Sequence, residues 1–239
     1  MGVGQAPEYP VLEGAAASPL MRAPWSRFIS LWSLGTGVAA TALYVAFGSL
    51  FATTGDLPDD NAELEMALEH PNAFTLAIAL DILVWIGLGV LLVALGAVLF
   101  GRVPIRGLLV AVAGAASCVG LAAAYLRLRG TLDLADRYEE VTGGAREDVL
   151  LSHLDLQQVT FSGFNAGSLV GSLAFLIVGS AAVLVGLPRW IAVSFAIVGG
   201  VGLLNNVLSI DALFLVYFAL LIVLLFAVSA VFWRRHQAF

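Results

Sequence analysis

The sequence predicts an all-α fold, a polytopic membrane helical bundle with six transmembrane helices and short amphipathic segments outside. Three observations predict it. Six long apolar stretches fill most of the 239 residues. The mean hydropathy is +0.97. Only 12% of residues are charged, against about 25% in an ordinary soluble domain. A helix crossing the hydrocarbon needs about 20 mostly apolar residues, because every backbone polar group must be satisfied within the segment. One small soluble core has no room for six such stretches. The runs are continuous rather than alternating, which argues against a strand barrel.

Residues 1–27 form a tail with Glu8, Glu13 and three prolines within Met1–Pro19. It reads as a short disordered lead on the cytoplasmic side. The span after it is too long for a signal-peptide core of about 7–15 residues. The spans are expected at Phe28–Phe51, Phe74–Phe100, Gly107–Leu126, Leu156–Leu187, Trp190–Leu208 and Ala212–Trp233. Residues 28–233 thus make one transmembrane domain, and 234–239 a second cytoplasmic tail. Between the first two spans, Leu64 and Leu68 are four apart, with Asp59 or Asp60 as N-cap, so a short surface helix is expected, ended by Pro71. Between spans three and four, Leu132, Leu134 and Tyr138 alternate with charged residues. Gly143-Gly144 breaks that stretch, and Arg146–Leu154 extends span four outwards as helix. Asp211 caps span six.

Arginine placement sets the orientation. All eleven basic residues are arginine. Arg22, Arg27, Arg102, Arg106, Arg189, Arg234 and Arg235 fall on one side of a six-span chain, with only Glu8 and Glu13 nearby. The other side carries fourteen acids and four arginines. Both termini are therefore expected in the cytoplasm, with the protein in the plasma membrane. The absence of lysine excludes Schiff-base chemistry on an internal lysine. Cys118 is the single cysteine, lies within a span and reads as a small packing residue. The membrane architecture and the net charge of −6 argue against nucleic-acid binding.

Leu187-Pro188-Arg189-Trp190-Ile191-Ala192-Val193 forms a turn with a basic residue and an interfacial aromatic, followed by Gly199 and Gly200 in the next helix. With the acidic segment after span one and the Asp133-Leu134-Ala135-Asp136-Arg137-Tyr138 stretch, this pattern resembles a bacterial family catalogued as domain of unknown function 4386. Arg234-Arg235-His236 departs from that family's usual final helix pattern. The resemblance implies a six-helix fold and brings no activity with it.

Span four carries the candidate site. Gly163, Gly167 and Gly171 recur every fourth residue on one narrow face, a pattern that lets another helix backbone approach closely. Asp155, Gln158, Ser162, Asn165, Ser168 and Ser172 form a second stripe within about 140° of arc, nearly opposite the glycines. Neither face suits lipid, so this span is expected to be central. The stripe reads either as interhelical hydrogen bonding or as a polar cavity open to the outside. Asp81 is the one acid inside a span, and it lies either at the outer interface or deeper, against that stripe. Asn205-Asn206 either caps span five or lines the same cavity. His70 and His153 read as solvated surface residues, too isolated for a metal site. No metal or other cofactor is implied.

The expected function is non-enzymatic: a membrane protein that binds or transports a small or lipid-like molecule in an outward polar cavity. The candidate lining is Asp81, Asp155, Gln158, Ser162, Asn165, Ser168 and Asn205. The first alternative is an accessory subunit acting through helix packing and acidic outer segments. The second is an intramembrane enzyme using Asp81 with His153 or His70. Expected partners are membrane lipids, with a small ligand or a membrane-protein partner. A reporter fused after Phe239 is expected to behave as cytoplasmic. Outward reporter activity would mean that a span has been miscounted.

Overall fold

The computed structural model describes residues 23–54, 62–208 and 211–237. Among them there is no strand. The helices are α1 (Ala23–Thr54), α2 (Ala62–Glu69), α3 (Pro71–Phe100), α4 (Pro104–Ala116), α5 (Cys118–Glu140), α6 (Gly144–Ala182), α7 (Arg189–Leu208) and α8 (Asp211–Gln237). Six helical segments are long and apolar enough to cross a membrane, with α4 and α5 together forming the third. The chain is a multi-pass membrane protein with an all-α fold. The residues expected to cap α2, Asp59 and Asp60, and most of the 1–27 tail lie outside the described residues.

Local chemistry explains the boundaries. Pro71 and Pro104 open α3 and α4, where a missing N–H costs nothing. After a 3-10 turn at Val183–Val185, Gly186 adopts a left-handed φ of 77°. Its N–H bonds Val183 O, and Pro188 prevents the helix from resuming at once. Arg235, at the far end of α8, donates to Gly186 O and ties the chain's last helix to this turn. Arg106 reaches Ser180 O at the same end. One end of the bundle is thus basic, and the other carries the acidic segments.

Several sequence expectations change. The third span is not one continuous helix but is interrupted at Ser117. There the side-chain hydroxyl bonds Gly114 O at 2.7 Å, a local bond that competes with the regular ladder. Past Leu126 the chain stays helical, because α5 continues to Glu140. Leu128, Leu132 and Ala135 recur at three and four residues and pack toward α2, so the apparent alternation is a helix face. The most enclosed span is α3, not α6: 61% of its apolar window is buried against 44%. It is apolar all round, which suits a helix enclosed by others. Cys118 is exposed rather than packed.

Glycines set the helix spacings. A Cβ on Gly96 of α3 would come within 2.7 Å of Ala111 N and Gly107 O of α4. One on Gly107 would meet Phe100 N at 2.4 Å, and one on Gly114 would meet Gly89 O at 2.9 Å. Along α6 and α7, Gly179 meets Ala192 O at 2.8 Å and Gly199 meets Ser172 O at 2.7 Å. On α6, Gly163 faces Ala123 of α5, and Gly167 faces Gly120 N and the Trp85 ring, both at 3.0 Å. Gly171 departs from the pattern, since nothing lies within 4 Å of its Cβ position.

Gly167→Leu is expected to destabilise the protein by more than the few kcal/mol typical of overpacking, because the face it meets includes backbone. Leu169→Ala, at an exposed position, should cost less. Gly171→Ala should be neutral or slightly stabilising. Thermal unfolding in detergent checks this ranking, and equal midpoints for the first two would contradict the close α5–α6 approach.

Candidate functional site

The polar stripe runs down α6 from the acidic end. Asp155, Gln158, Ser162 and Asn165 are exposed, Ser168 is half-buried and Ser172 is fully buried. The reason is the length of α7. Asn206, near its end, donates to Ser168 Oγ at 3.1 Å and to Gly202 O at 2.8 Å. Asp155 lies thirteen residues before Ser168, about 20 Å further along α6. α7 stops near the level of Ser168, so the stripe above it is open. Below that level it is enclosed: a Cβ on Gly202 would meet Ser172 Oγ at 2.2 Å and the Tyr217 ring at 2.7 Å. Asn205 is half-buried. The asparagine pair does not end α7, which continues to Leu208. Asn206 instead bonds across to α6, and its Oδ1 is buried without a partner.

Asp81 lies on another side of α6. One turn along α3 from it stands Trp85. The Trp85 ring stacks on Phe164 at 6.1 Å and packs against Gly167 and Gly120. Trp85 thus occupies the glycine face, whereas Asn165 is about 160° around the helix from Gly167 and exposed. The structure does not bring Asp81 and the Asp155–Ser172 stripe together. Along α3, Asp81 is about 28 Å from Phe100, nearly the whole thickness of a hydrocarbon core of about 30 Å. This length favours the interfacial placement of Asp81.

A second polar group lies on that same face. Arg127 of α5 pairs through two nitrogens with Glu63 of α2, one contact being Nε to Oε2 at 3.0 Å. Both side chains are largely buried, at 14% and 17% exposure. The guanidinium also lies 5.8 Å from the Phe161 ring centroid and 5.7 Å from that of Phe164. Planar delocalised charge suits this combination of a forked carboxylate and aromatic faces. Thr131, one turn further on α5, is fully buried with its hydroxyl unpartnered. His153 of α6 is also fully buried, and neither ring nitrogen has a partner. The surface reading of His153 is therefore corrected: α6 pairs with α5 at this height and covers the imidazole. His70 is exposed, as expected.

Among the described residues, no three His, Cys, Asp or Glu side chains approach closely enough to hold a metal ion. A groove of about 390 Å³ between α1 and α8 is lined mainly by apolar side chains and holds none of the expected site residues. Sequence reasoning missed the Arg127 group, because Arg127 was counted only as an outer charge. The available signal was the Arg127–Thr131 spacing on the face that also carries Leu128 and Ala135.

Breaking the buried pair should be costly, because the remaining charge stays in the interior. Arg127→Gln is expected to lose about 3–5 kcal/mol of stability, whereas the double variant Arg127→Met with Glu63→Leu should lose far less. A double-mutant cycle by thermal unfolding checks this. Additive losses would show that the pair is not energetically coupled.

No family model, curated protein or solved structure matches the chain.

Proposed function

We propose that this is a non-enzymatic plasma-membrane protein that binds or transports a small or lipid-like molecule along the open polar face of α6. Both termini are placed in the cytoplasm in this reading, so the acidic end faces outwards. The observation that carries it is the continuity of the stripe. It starts at exposed Asp155, passes Asn165 and ends at the Ser168–Asn206 bond, where Asn206 Oδ1 is buried without a partner. A polar face at membrane level avoids hydrocarbon only by meeting water, a ligand or protein. A headgroup resting there would find hydroxyl and amide partners at the foot of the stripe and apolar α7 and α8 beside it.

The accessory reading is favoured by one specific feature. The lower stripe already serves helix contacts through Ser168, Ser172 and Gly202. The likeness to the domain of unknown function 4386 is part of the same proposal. It is supported by the position of Pro188-Arg189-Trp190 at the turn that opens α7.

In a Cys118→Ser background, cysteines at positions 158, 162 and 165 are expected to react with a membrane-impermeant thiol reagent added outside, and those at 163 and 167 to stay protected. Native mass spectrometry of the purified protein should show a retained small molecule or lipid that is lost in Asn165→Leu. An unreactive stripe and an empty protein would leave the accessory reading. Reaction only from inside would invert the orientation.

A further inference from the structure

Glu63 belongs to α2, an eight-residue helix separate from the membrane-spanning segments. Its neighbours Leu64 and Ala67 are buried against Phe74, Ile78 and Ala135, so α2 lies over the acidic end of α3 and α5. A carboxylate from this short cover reaches a largely buried arginine, which two aromatic rings flank. Two further polar side chains, Thr131 of α5 and His153 of α6, are buried without hydrogen-bond partners. The α5–α6 register follows from two contacts: Gly130 faces Leu156, and Gly163 faces Ala123. The helices are antiparallel, so Thr131 and His153 lie within about two residues of the same level, one turn beyond Arg127. Thr160 bonds its own helix through its hydroxyl, as threonines in helices commonly do, but Thr131 does not. Buried polar groups are rarely left without partners unless something else meets them.

We propose that Arg127, Thr131 and His153 form a binding site for a carboxylate with a hydroxyl or amine on the adjacent carbon, and that Glu63 occupies the carboxylate position when α2 is closed. The arginine fork takes the carboxylate bidentately, as it now takes Glu63. The Thr131 hydroxyl and the His153 imidazole meet the adjacent substituent, since each can donate or accept. A ligand competes with Glu63 for Arg127 and so releases α2. This site is separate from the α6 stripe, on the far side of that helix, and stands or falls independently of the reading above. The same chemistry is available from a free hydroxy acid and from the serine headgroup of a phospholipid.

The test uses the full chain in nanodiscs, with Cys118→Ser and Ala67→Cys, a conservative change at a residue that closed α2 buries. Sodium lactate is added to phosphatidylcholine discs, and discs with and without phosphatidylserine are compared. Release of α2 should raise the rate of thiol labelling at position 67 by about tenfold, as expected when a ligand shifts a two-state element. A response to lactate alone identifies a free solute. A response to phosphatidylserine alone identifies a lipid headgroup. Butyrate, which lacks the adjacent hydroxyl, should act more weakly than lactate, and Thr131→Val should erase that difference without abolishing the response. Arg127→Gln should label at one rate whatever is added. If neither lactate, butyrate nor phosphatidylserine changes labelling of a cooperatively folded protein, the Arg127–Glu63 pair is a fixed clasp and the proposal is overturned.

Discussion

The close approach of helix backbones at glycine is the constraint on which the rest of the structure depends. Lipid tails are as apolar as leucine, so burying leucine between helices gains little in a bilayer, and contact area at short range must supply the association. The α3–α4 pair meets this requirement through Gly89, Gly96, Gly107 and Gly114, where backbone faces backbone. The α6–α7 pair does so through Gly179 and Gly199. Bulkier residues then fill the spaces beside these seams, with Phe175 and Phe195 in contact and Leu91, Leu92 and Leu95 fully enclosed. The outer helices α1 and α8 join through a different device, a buried bond from Ser30 Oγ to Ser229 O at 2.9 Å.

This spacing also separates the two polar regions. α6 lies close to α5 on its glycine face, and Trp85, Phe164 and the largely buried Arg127 collect there, with the half-exposed Phe161 at the edge. Its other face meets α7 for only part of its length. One helix therefore presents a largely buried ion pair on one side and an open polar stripe on the other. The first ties α5 to the adjacent cover, and the second is held by a single asparagine bridge at its foot.

Hydropathy made the number of spans legible, because helices in lipid must be long and apolar whatever their neighbours. The break at Gly143-Gly144 and the turn at Pro188 were also legible, since glycine and proline act locally, although the turn begins at Gly186, inside the stretch expected to be span four. The break at Ser117 was not, for a serine in an apolar run does not announce that its hydroxyl will bond the backbone. The contact role of Gly163 and Gly167 was readable from spacing, but the open space at Gly171 depends on where α7 passes. The Arg127 group was hidden for a related reason. Its members come from α2, α5 and α6, and their meeting depends on register between helices rather than on any one segment. His153 looked like a surface residue because it lies before the fourth apolar stretch, near Asp155.

The break at Ser117 divides one membrane crossing into two pieces with different attachments. α4 packs mainly on α3, through the glycine seam, and then on α6, whereas α5 packs mainly on α6, then on α3, and beneath α2. The two pieces thus lean on the same two helices in opposite proportion, α4 more on α3 and α5 more on α6. The crossing is a spliced beam rather than a single one, with its splice at Ser117.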